Sequence, residues 1–323
     1  MRDPPSKIKV AVVQAASQLC DRAGCVEKTC RLIDQASRQG ARLALFPEAF
    51  IPGYPRGFAF GTVVGSRSES GKKTWERYWR NSVEIPSETT NKIGEAARKA
   101  QVYVAVGLVE RDRESSQGTL YCTLAYFGPD GEMLGKHRKL KPTASERLIW
   151  GEGDGSTMPV IDTGAARIGG LICWENYMPL ARMVMYQKGV EVYLAPTADQ
   201  REGWQATLIH IALEGRCFVL GCNQFMTKSM YPTDLVEAEN LSSLPEILCR
   251  GGSAIISPSG EYLAGPSFNK EEILLADLDL TEVVRGKFDL DITGHYARPD
   301  VFQLTVNERP SQSTSLRQSN NGR

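Results

Sequence analysis

A chain of 323 residues with 41% hydrophobic and 24% charged side chains is long enough for one large α/β domain or two modest ones, and it fits no fibrous or disordered class. Its 38 Lys and Arg balance 38 Asp and Glu, so no net field gathers nucleic acid or an anionic membrane surface, and neither is expected as a partner. The opening Met1 to Gln14 lacks a signal-peptide core and cleavage site, and no segment reaches the roughly 18 apolar residues of a membrane span, so a soluble cytoplasmic protein is expected.

Short apolar or β-branched runs alternate with helical patterns along the chain. In order they predict a strand over Ile8–Val13, a helix over Gly24–Arg38, a strand over Arg42–Phe46, a helix over Glu88–Ala100 and a strand over Val102–Val109. A hairpin follows, from Leu120–Phe127 through Gly128-Pro129-Asp130-Gly131 into Glu132–Gly135. Next come strands over Ala166–Ile172 and Val190–Ala195 around a helix over Pro179–Lys188, then a helix over Glu202–Gly215 and a strand over Cys217–Cys222. A second hairpin turns at Ser257-Pro258-Ser259-Gly260 between Ala254–Ile256 and Glu261–Ala264. Pro followed two residues later by Gly is good turn chemistry.

The matching Pro-X-Gly-Glu turns point to two related halves and to mixed sheets. Stacked face to face with helices outside, these predict an α/β fold of the four-layer αββα sandwich type with two mixed β-sheets. Two stretches read as additions to that framework: Gly53–Lys73, rich in Gly, Ser and Arg, and Met226–Cys249, which holds acidic residues, Pro232 and Pro245. Loops of that length commonly serve as lids or interfaces. Residues 1–308 are expected as a single domain, and residues 309–323, with almost no apolar side chains, as a disordered tail.

The 8 cysteines, at 20, 25, 30, 122, 173, 217, 222 and 249, form no CxxC pair and are expected mostly as small buried hydrophobes rather than disulfide partners. His137, His210 and His295 are widely separated and fall in no HExxH or paired Cys/His spacing. A catalytic metal is therefore not expected.

Cys173 ends an apolar strand and opens a polar turn, the placement of a nucleophile. A thiolate there would be favoured by a cation, by a base that takes the proton, or by backbone N–H groups at a helix start, such as those of Trp174 or Glu175. Taken alone, Cys173 reads more readily as an inert buried thiol than as a nucleophile. Glu48, after Pro47 at a strand end, is a candidate base or an acid paired to an arginine. The segment His137-Arg138-Lys139-Leu140-Lys141-Pro142-Thr143 offers a cation, with Lys136, Lys139, Lys141 and Arg138 all open as that group. Glu146, Glu175 and Asp199 read as first-turn or loop acids as well as candidates.

Phe46-Pro47-Glu48, His137 to Thr143 and Cys173-Trp174-Glu175-Asn176, in that order, resemble the three signature blocks of the nitrilase superfamily of carbon–nitrogen hydrolases. Four further stretches, Glu146 to Gly155, Ala195 to Asp199, His210 to Phe218 and Gly294 to Pro299, resemble the true nitrilase branch in plants and related bacteria. The Cys-Trp-Glu-Asn sequence departs from amidase and carbamoylase relatives, which usually carry Asp where Glu175 stands. The resemblance implies Cys173 as nucleophile, Glu48 as general base, Lys139 as the stabilising cation and Glu146 as a second glutamate against Lys139. From the matching segments, Tyr54, Trp174, Thr197 and Trp204 are candidate substrate-binding residues. It further implies a nitrile substrate, no cofactor, and a homo-oligomer of dimers, in some relatives a spiral, joined through the helix after the nucleophile and the two added stretches. An amidase or carbamoylase, a cyanoalanine-type enzyme releasing amide, and a non-catalytic scaffold stand as alternatives.

Overall fold

The computed structural model describes residues 7–113, 116–234 and 244–311. The first half contributes β1 (Lys7–Gln14), α1 (Arg22–Arg38), β2 (Leu43–Leu45), a ribbon of β3 (Thr62–Val63) and β4 (Ser66–Arg67), α2 (Glu69–Asn81), α3 (Glu88–Ala100), β5 (Tyr103–Arg111), β6 (Leu120–Phe127) and β7 (Met133–Arg138). The second contributes β8 (Val160–Asp162), β9 (Arg167–Gly170), α4 (Pro179–Gln187), β10 (Val192–Pro196), α5 (Glu202–Gly215), β11 (Phe218–Cys222), β12 (Phe225–Thr227), β13 (Ile247–Ile256) and β14 (Tyr262–Phe268). After these come β15 (Glu272–Asp279) and α6 (Thr281–Asp289).

Strand periodicity sets the layering, because successive side chains leave a strand on opposite faces. Val10 and Val12 of β1 meet Leu194, Leu220 and Ile255 of the other sheet in one inner core, whereas Ala11 and Val13 face α1 and α3 in an outer one. In the second sheet Val192 and Leu194 point inward, and Tyr193 and Ala195 pack outward with α4 and α5. Helix, sheet, sheet, helix: the fold is the expected αββα sandwich.

Both sheets are mixed, and the two halves share one strand plan. In the first, β1, β2 and β5 are parallel and β6 and β7 continue antiparallel. In the second, β9, β10 and β11 are parallel and β13 and β14 continue antiparallel. The two Pro-X-Gly-Glu turns occupy corresponding places, each closed by a bond from Gly to the residue three earlier, Gly131 N–H to Gly128 and Gly260 N–H to Ser257, at 3.0 and 2.9 Å. Gly131 and Gly260 both take positive φ, 92° and 84°, which favours glycine there.

Three expectations need correction. The Gly53–Lys73 stretch is not all loop: it carries the β3–β4 ribbon up to Arg67, and Ser68 then caps α2 by accepting the Gly71 N–H at 3.0 Å, so that residues 69–73 are helical. The second hairpin is much longer than expected, since β13 starts at Ile247 and takes in the end of the Met226–Cys249 stretch, of which residues 235–243 lie outside the described residues. Finally, β15 lies antiparallel along the whole of β1, from Lys7↔Asp279 to Gln14↔Glu272, closing an edge where no strand was expected. After α6 an irregular segment leads to Ser311, whose N–H donates to Asp154 Oδ2 at 2.6 Å; the remainder of the expected tail lies outside the described residues.

Candidate active site

Glu48, Lys139 and Cys173 leave the ends of β2, β7 and β9, and the stacking of the two sheets brings those ends together. Gly107 of β5 makes room for the Glu48 turn: a Cβ there would sit 2.1 Å from the Pro47 carbonyl oxygen and 2.6 Å from Ala49 N. Ala49 and Cys173 both take positive φ, 48° and 53°. Such backbone is costly for residues with a Cβ, and it turns both functional side chains sharply off their strands.

Alternation along β7 resolves the choice among four cations. Lys136 and Arg138 share one face and pair with Glu110, at 2.6 and 2.7 Å, while Lys141, beyond the strand, pairs with Glu152 on the surface. His137 and Lys139 share the other face and are fully buried. Lys139 Nζ lies 2.6 Å from Glu48 Oε1 and 2.7 Å from Glu146 Oε2. Burial works against its charge, but Glu48, Cys173 and Glu146 more than offset that and hold Lys139 well above the usual lysine range. It is an ammonium at any physiological pH.

Burial pushes the Glu48 carboxyl up; Lys139 pulls it down and Glu146 up again. Oε1 takes the ammonium and a weak bond from the buried Cys122 thiol at 3.6 Å, and the Gln224 amide holds the Glu48 carbonyl at 3.0 Å. Oε2 has no partner in hydrogen-bond geometry among the described residues, and the Cys173 thiol lies against the carboxyl. Glu146 is itself fixed on three sides, by Lys139, by Tyr54 OH at 2.7 Å and by Thr143 N–H at 2.7 Å.

Burial and the Glu48 carboxylate, against the opposing pull of Lys139, raise the Cys173 thiol to about 12. At pH 7 the thiol therefore keeps its proton, so this cysteine needs that proton taken as it attacks. Cys173 Sγ also receives the Thr197 hydroxyl at 3.1 Å.

The turn carrying Cys173 is tied to the strand carrying Lys139 through Glu175, which is buried. Its carboxylate accepts the N–H of Ile172, just before the nucleophile, at 2.7 Å, and also that of Leu140, just after Lys139. His137 Nε2 lies 2.9 Å from the same group, and its Nδ1 faces the Thr157 carbonyl. Both neighbours are acceptors, so the ring donates from both nitrogens; the Glu175 charge and these bonds outweigh burial and raise His137. Asn176 adds bonds from Nδ2 to the Leu171 and Cys173 carbonyls at 3.0 and 2.8 Å. Sequence reasoning left Glu175 open between an ordinary acid and a functional group and gave His137 and Asn176 no role. Their partners lie on other elements, and the one sequence signal was that His137 and Lys139 share a strand face.

Of the expected pocket residues, Tyr54 and Thr197 reach the site, but as hydrogen-bond partners of Glu146 and Cys173. Trp174 is partly exposed: its Nε1 donates to Asp199 Oδ2 at 2.8 Å and Arg201 stacks 4.6 Å over its ring. Trp204 lies elsewhere, buried in the outer core among Tyr193, Leu208 and Ile211 on the helix side of the second sheet. Its apolar bulk at the first turn of α5 is satisfied by sheet packing. The Glu175 N–H donates to Ile172 O at 3.2 Å, which leaves the N–H of Trp174 as the candidate oxyanion donor of the two.

The arrangement can deliver a thiol to an electrophilic carbon with a carboxylate to take its proton and an ammonium to meet developing negative charge. The sequence profile of the carbon-nitrogen hydrolase family matches residues 9–287. A nitrilase of Bradyrhizobium diazoefficiens is 50% identical over 96% of this chain and 95% of its own. An aliphatic nitrilase of Sinorhizobium fredii is 47% identical over 97% and 99%, and a bifunctional nitrilase/nitrile hydratase of Lupinus angustifolius 48% identical over 96% and 88%. In fold, a Saccharomyces cerevisiae member of branch 10 of the nitrilase superfamily superposes with a TM-score of 0.67 over 92% of this chain and 98% of its own, at 21% identity. A Nesterenkonia amidase superposes with a TM-score of 0.65 over 88% and 95%, at 18% identity.

Proposed function

The chain belongs to the carbon-nitrogen hydrolase family, in its nitrilase branch, and from that premise we propose that Cys173, Glu48, Lys139 and Glu146 convert an organic nitrile to its carboxylic acid and ammonia. The observation that carries the assignment is the buried Lys139 ammonium held between the Glu48 and Glu146 carboxylates, with the Cys173 thiol buried beside them.

Cys173 Sγ attacks the nitrile carbon as Glu48 takes the thiol proton and passes it to the nitrile nitrogen, giving a thioimidate. A Glu48 raised by burial is better matched to this exchange than an ordinary carboxylate, since its basicity lies closer to the working pH. Water, deprotonated by Glu48, adds to the thioimidate carbon. Lys139 and the Trp174 N–H stabilise the tetrahedral intermediate, and the C–N bond breaks to release ammonia and leave a thioester. A second water releases the acid and restores the thiol. Glu146, bound by Tyr54 and Thr143, keeps Lys139 from collapsing wholly onto Glu48. Breaking the C–S bond of the same intermediate instead gives an amide, the outcome favoured as a second reading by relatives that are bifunctional nitrilase/nitrile hydratases.

A panel of aliphatic, arylaliphatic and aromatic nitriles and cyanoalanine, run beside the matching amides, tests this. Ammonia and acid are expected from at least one nitrile, with its amide turned over at least about 100-fold more slowly. Amides consumed while every nitrile is spared would make the protein an amidase of the superfamily.

We also propose a homo-oligomer built on a dimer through the start of α4. Tyr177, Met178 and Leu180 expose 47%, 38% and 67% of their surface in one short run there, an apolar patch of the kind that marks an interface. Sedimentation should give at least a dimer, and Leu180→Asp a smaller species; a wild-type monomer would reject the idea. The protein's 8 cysteines, none paired with another, support a cytoplasmic location, which cell fractionation checks.

A further inference from the structure

Strands β9 and β10 run parallel, so the turns that leave them open on the same edge of the second sheet. Cys173 follows β9 and Thr197 follows β10 directly. The Thr197 N–H donates to the Cys222 carbonyl at 2.8 Å, continuing the ladder with β11, and its side chain is buried. Its hydroxyl oxygen accepts the Asp199 N–H at 2.9 Å and its proton is directed to Cys173 Sγ at 3.1 Å. Accepting one bond while donating the other polarises the O–H and strengthens its donation.

Asp199 fixes the loop from which that N–H comes. Its carboxylate takes bonds from Trp174 Nε1 at 2.8 Å and from Arg201 Nε at 2.9 Å, so the turns carrying Cys173 and Thr197 are clamped to each other. The charged groups near the sulfur act on it mainly through charge, Lys139 favouring the thiolate and Glu48 and Glu146 opposing it. Lys139 is bonded to two carboxylates and Glu48 adds negative charge. Among the described side chains the Thr197 hydroxyl is the donor placed on the sulfur, and it favours the thiolate over the thiol.

We propose that Thr197 is a catalytic residue whose hydroxyl bond to Cys173 Sγ stabilises negative charge on the sulfur and so sets how often the tetrahedral intermediate expels thiolate, releasing amide, instead of ammonia. The inference rests on the nitrilase reading given above. The intermediate carbon carries OH, NH2 and the Cys173 sulfur. On the amide route the C–S electron pair goes to Sγ, where the Thr197 O–H meets it. The C=O bond forms from the O–H pair, and the hydroxyl proton goes to Glu48 and then to sulfur. On the acid route the C–N pair leaves on nitrogen, which takes a proton and departs as ammonia, and the C–S bond survives as the thioester. A less basic thiolate leaves faster, while the same hydrogen bond does nothing for departing nitrogen. Loss of the hydroxyl should therefore move product from amide to acid.

The sulfur bond also bears on attack. Below the thiol's own pKa, a lower pKa raises the thiolate fraction more than it lowers intrinsic nucleophilicity, so the same donor speeds alkylation of Cys173.

Thr197→Val keeps the shape and removes the donor, and Thr197→Ser restores the hydroxyl without the methyl. With a nitrile from which the wild type makes both products, Thr197→Val should lower the amide-to-acid ratio about tenfold, the scale of losing a hydrogen bond to a charged group. Iodoacetamide labelling of Cys173 at pH 7.5, followed on its own peptide, should slow by a similar factor. Thr197→Ser should stay within about twofold of the wild type in both measurements. An unchanged or increased amide share in Thr197→Val, or a wild type that forms no amide from any nitrile, overturns the inference. A wild type that turns over no nitrile defeats the underlying functional reading instead, and the labelling rates then still decide whether Thr197 supports the sulfur.

Discussion

Replacing Cys173 with Ala is expected to lower both acid and amide formation by at least about 10⁴-fold, the scale seen when a nucleophile is removed from a working set. Folding should survive. The side chain is 4% exposed, receives the Thr197 hydroxyl and lies against the Glu48 carboxylate, and removing one sulfur atom from such a site costs about 1 kcal/mol, a shift of a few degrees in Tm. The other thiol that touches the base gives the test its edge. Cys122 bonds Glu48 Oε1 at 3.6 Å but sits inside β6, where burial and the Glu48 charge push it well above the usual thiol range. It has neither the turn geometry nor the Thr197 donor of Cys173, so it should not take over. Ammonia released by the Cys173→Ala protein within tenfold of the wild-type rate, with an unchanged melt, would remove Cys173 from the mechanism.

Much of the fold was legible because local chemistry and long-range packing agreed. Helices α3 and α5 have the bounds that periodicity predicts, and Ser87 caps α3 through a reciprocal pair of bonds with Thr90. The shared Pro-X-Gly-Glu turns told correctly of two related halves. Helix α2 was missed because only Gly71, Thr74 and Tyr78 of its 13 residues are buried; that stripe is too thin to stand out from a Gly-, Ser- and Arg-rich flank. Strand β15 was missed because its order comes from β1, more than 250 residues away, and an edge strand half open to solvent carries little apolar alternation of its own.

The site divides along the same line. Cys173, Glu48 and the segment holding Lys139 could be found from strand ends and residue type, and the alternation of β7 already separates His137 and Lys139 from Lys136 and Arg138. What no local signal held was the reach of Glu175 across to Leu140 N–H, or of the Thr197 hydroxyl to Cys173. Those contacts exist only once two sheet edges meet.

Lys139 places a cation between two acids, and its removal should therefore change stability as well as rate. Lys139→Met keeps the stem volume beside the Trp150 ring, which lies 5.9 Å from Nζ, but leaves Glu48 and Glu146 buried without their counter-ion. Breaking such a group by taking out one partner costs about 3–5 kcal/mol at neutral pH, and the loss of the ammonium should reduce kcat by at least about 10³-fold. The pH dependence fixes the cause. Glu48 is already raised in the native protein by burial, with Lys139 pulling against the shift, so the variant's Glu48 must lie higher still. A carboxyl raised on folding favours the folded state below its unfolded pKa, and that contribution is lost as pH rises through the folded value. Acidification from pH 8 to pH 5 should accordingly let Glu48 take up a proton in place of the ammonium and narrow the stability gap between Lys139→Met and wild type. Urea melts across that range measure the gap directly, and a gap that widens toward pH 5 would rule out the uncompensated carboxylate as its source. Activity should not return with stability, because a proton on Glu48 removes the base that Cys173 requires.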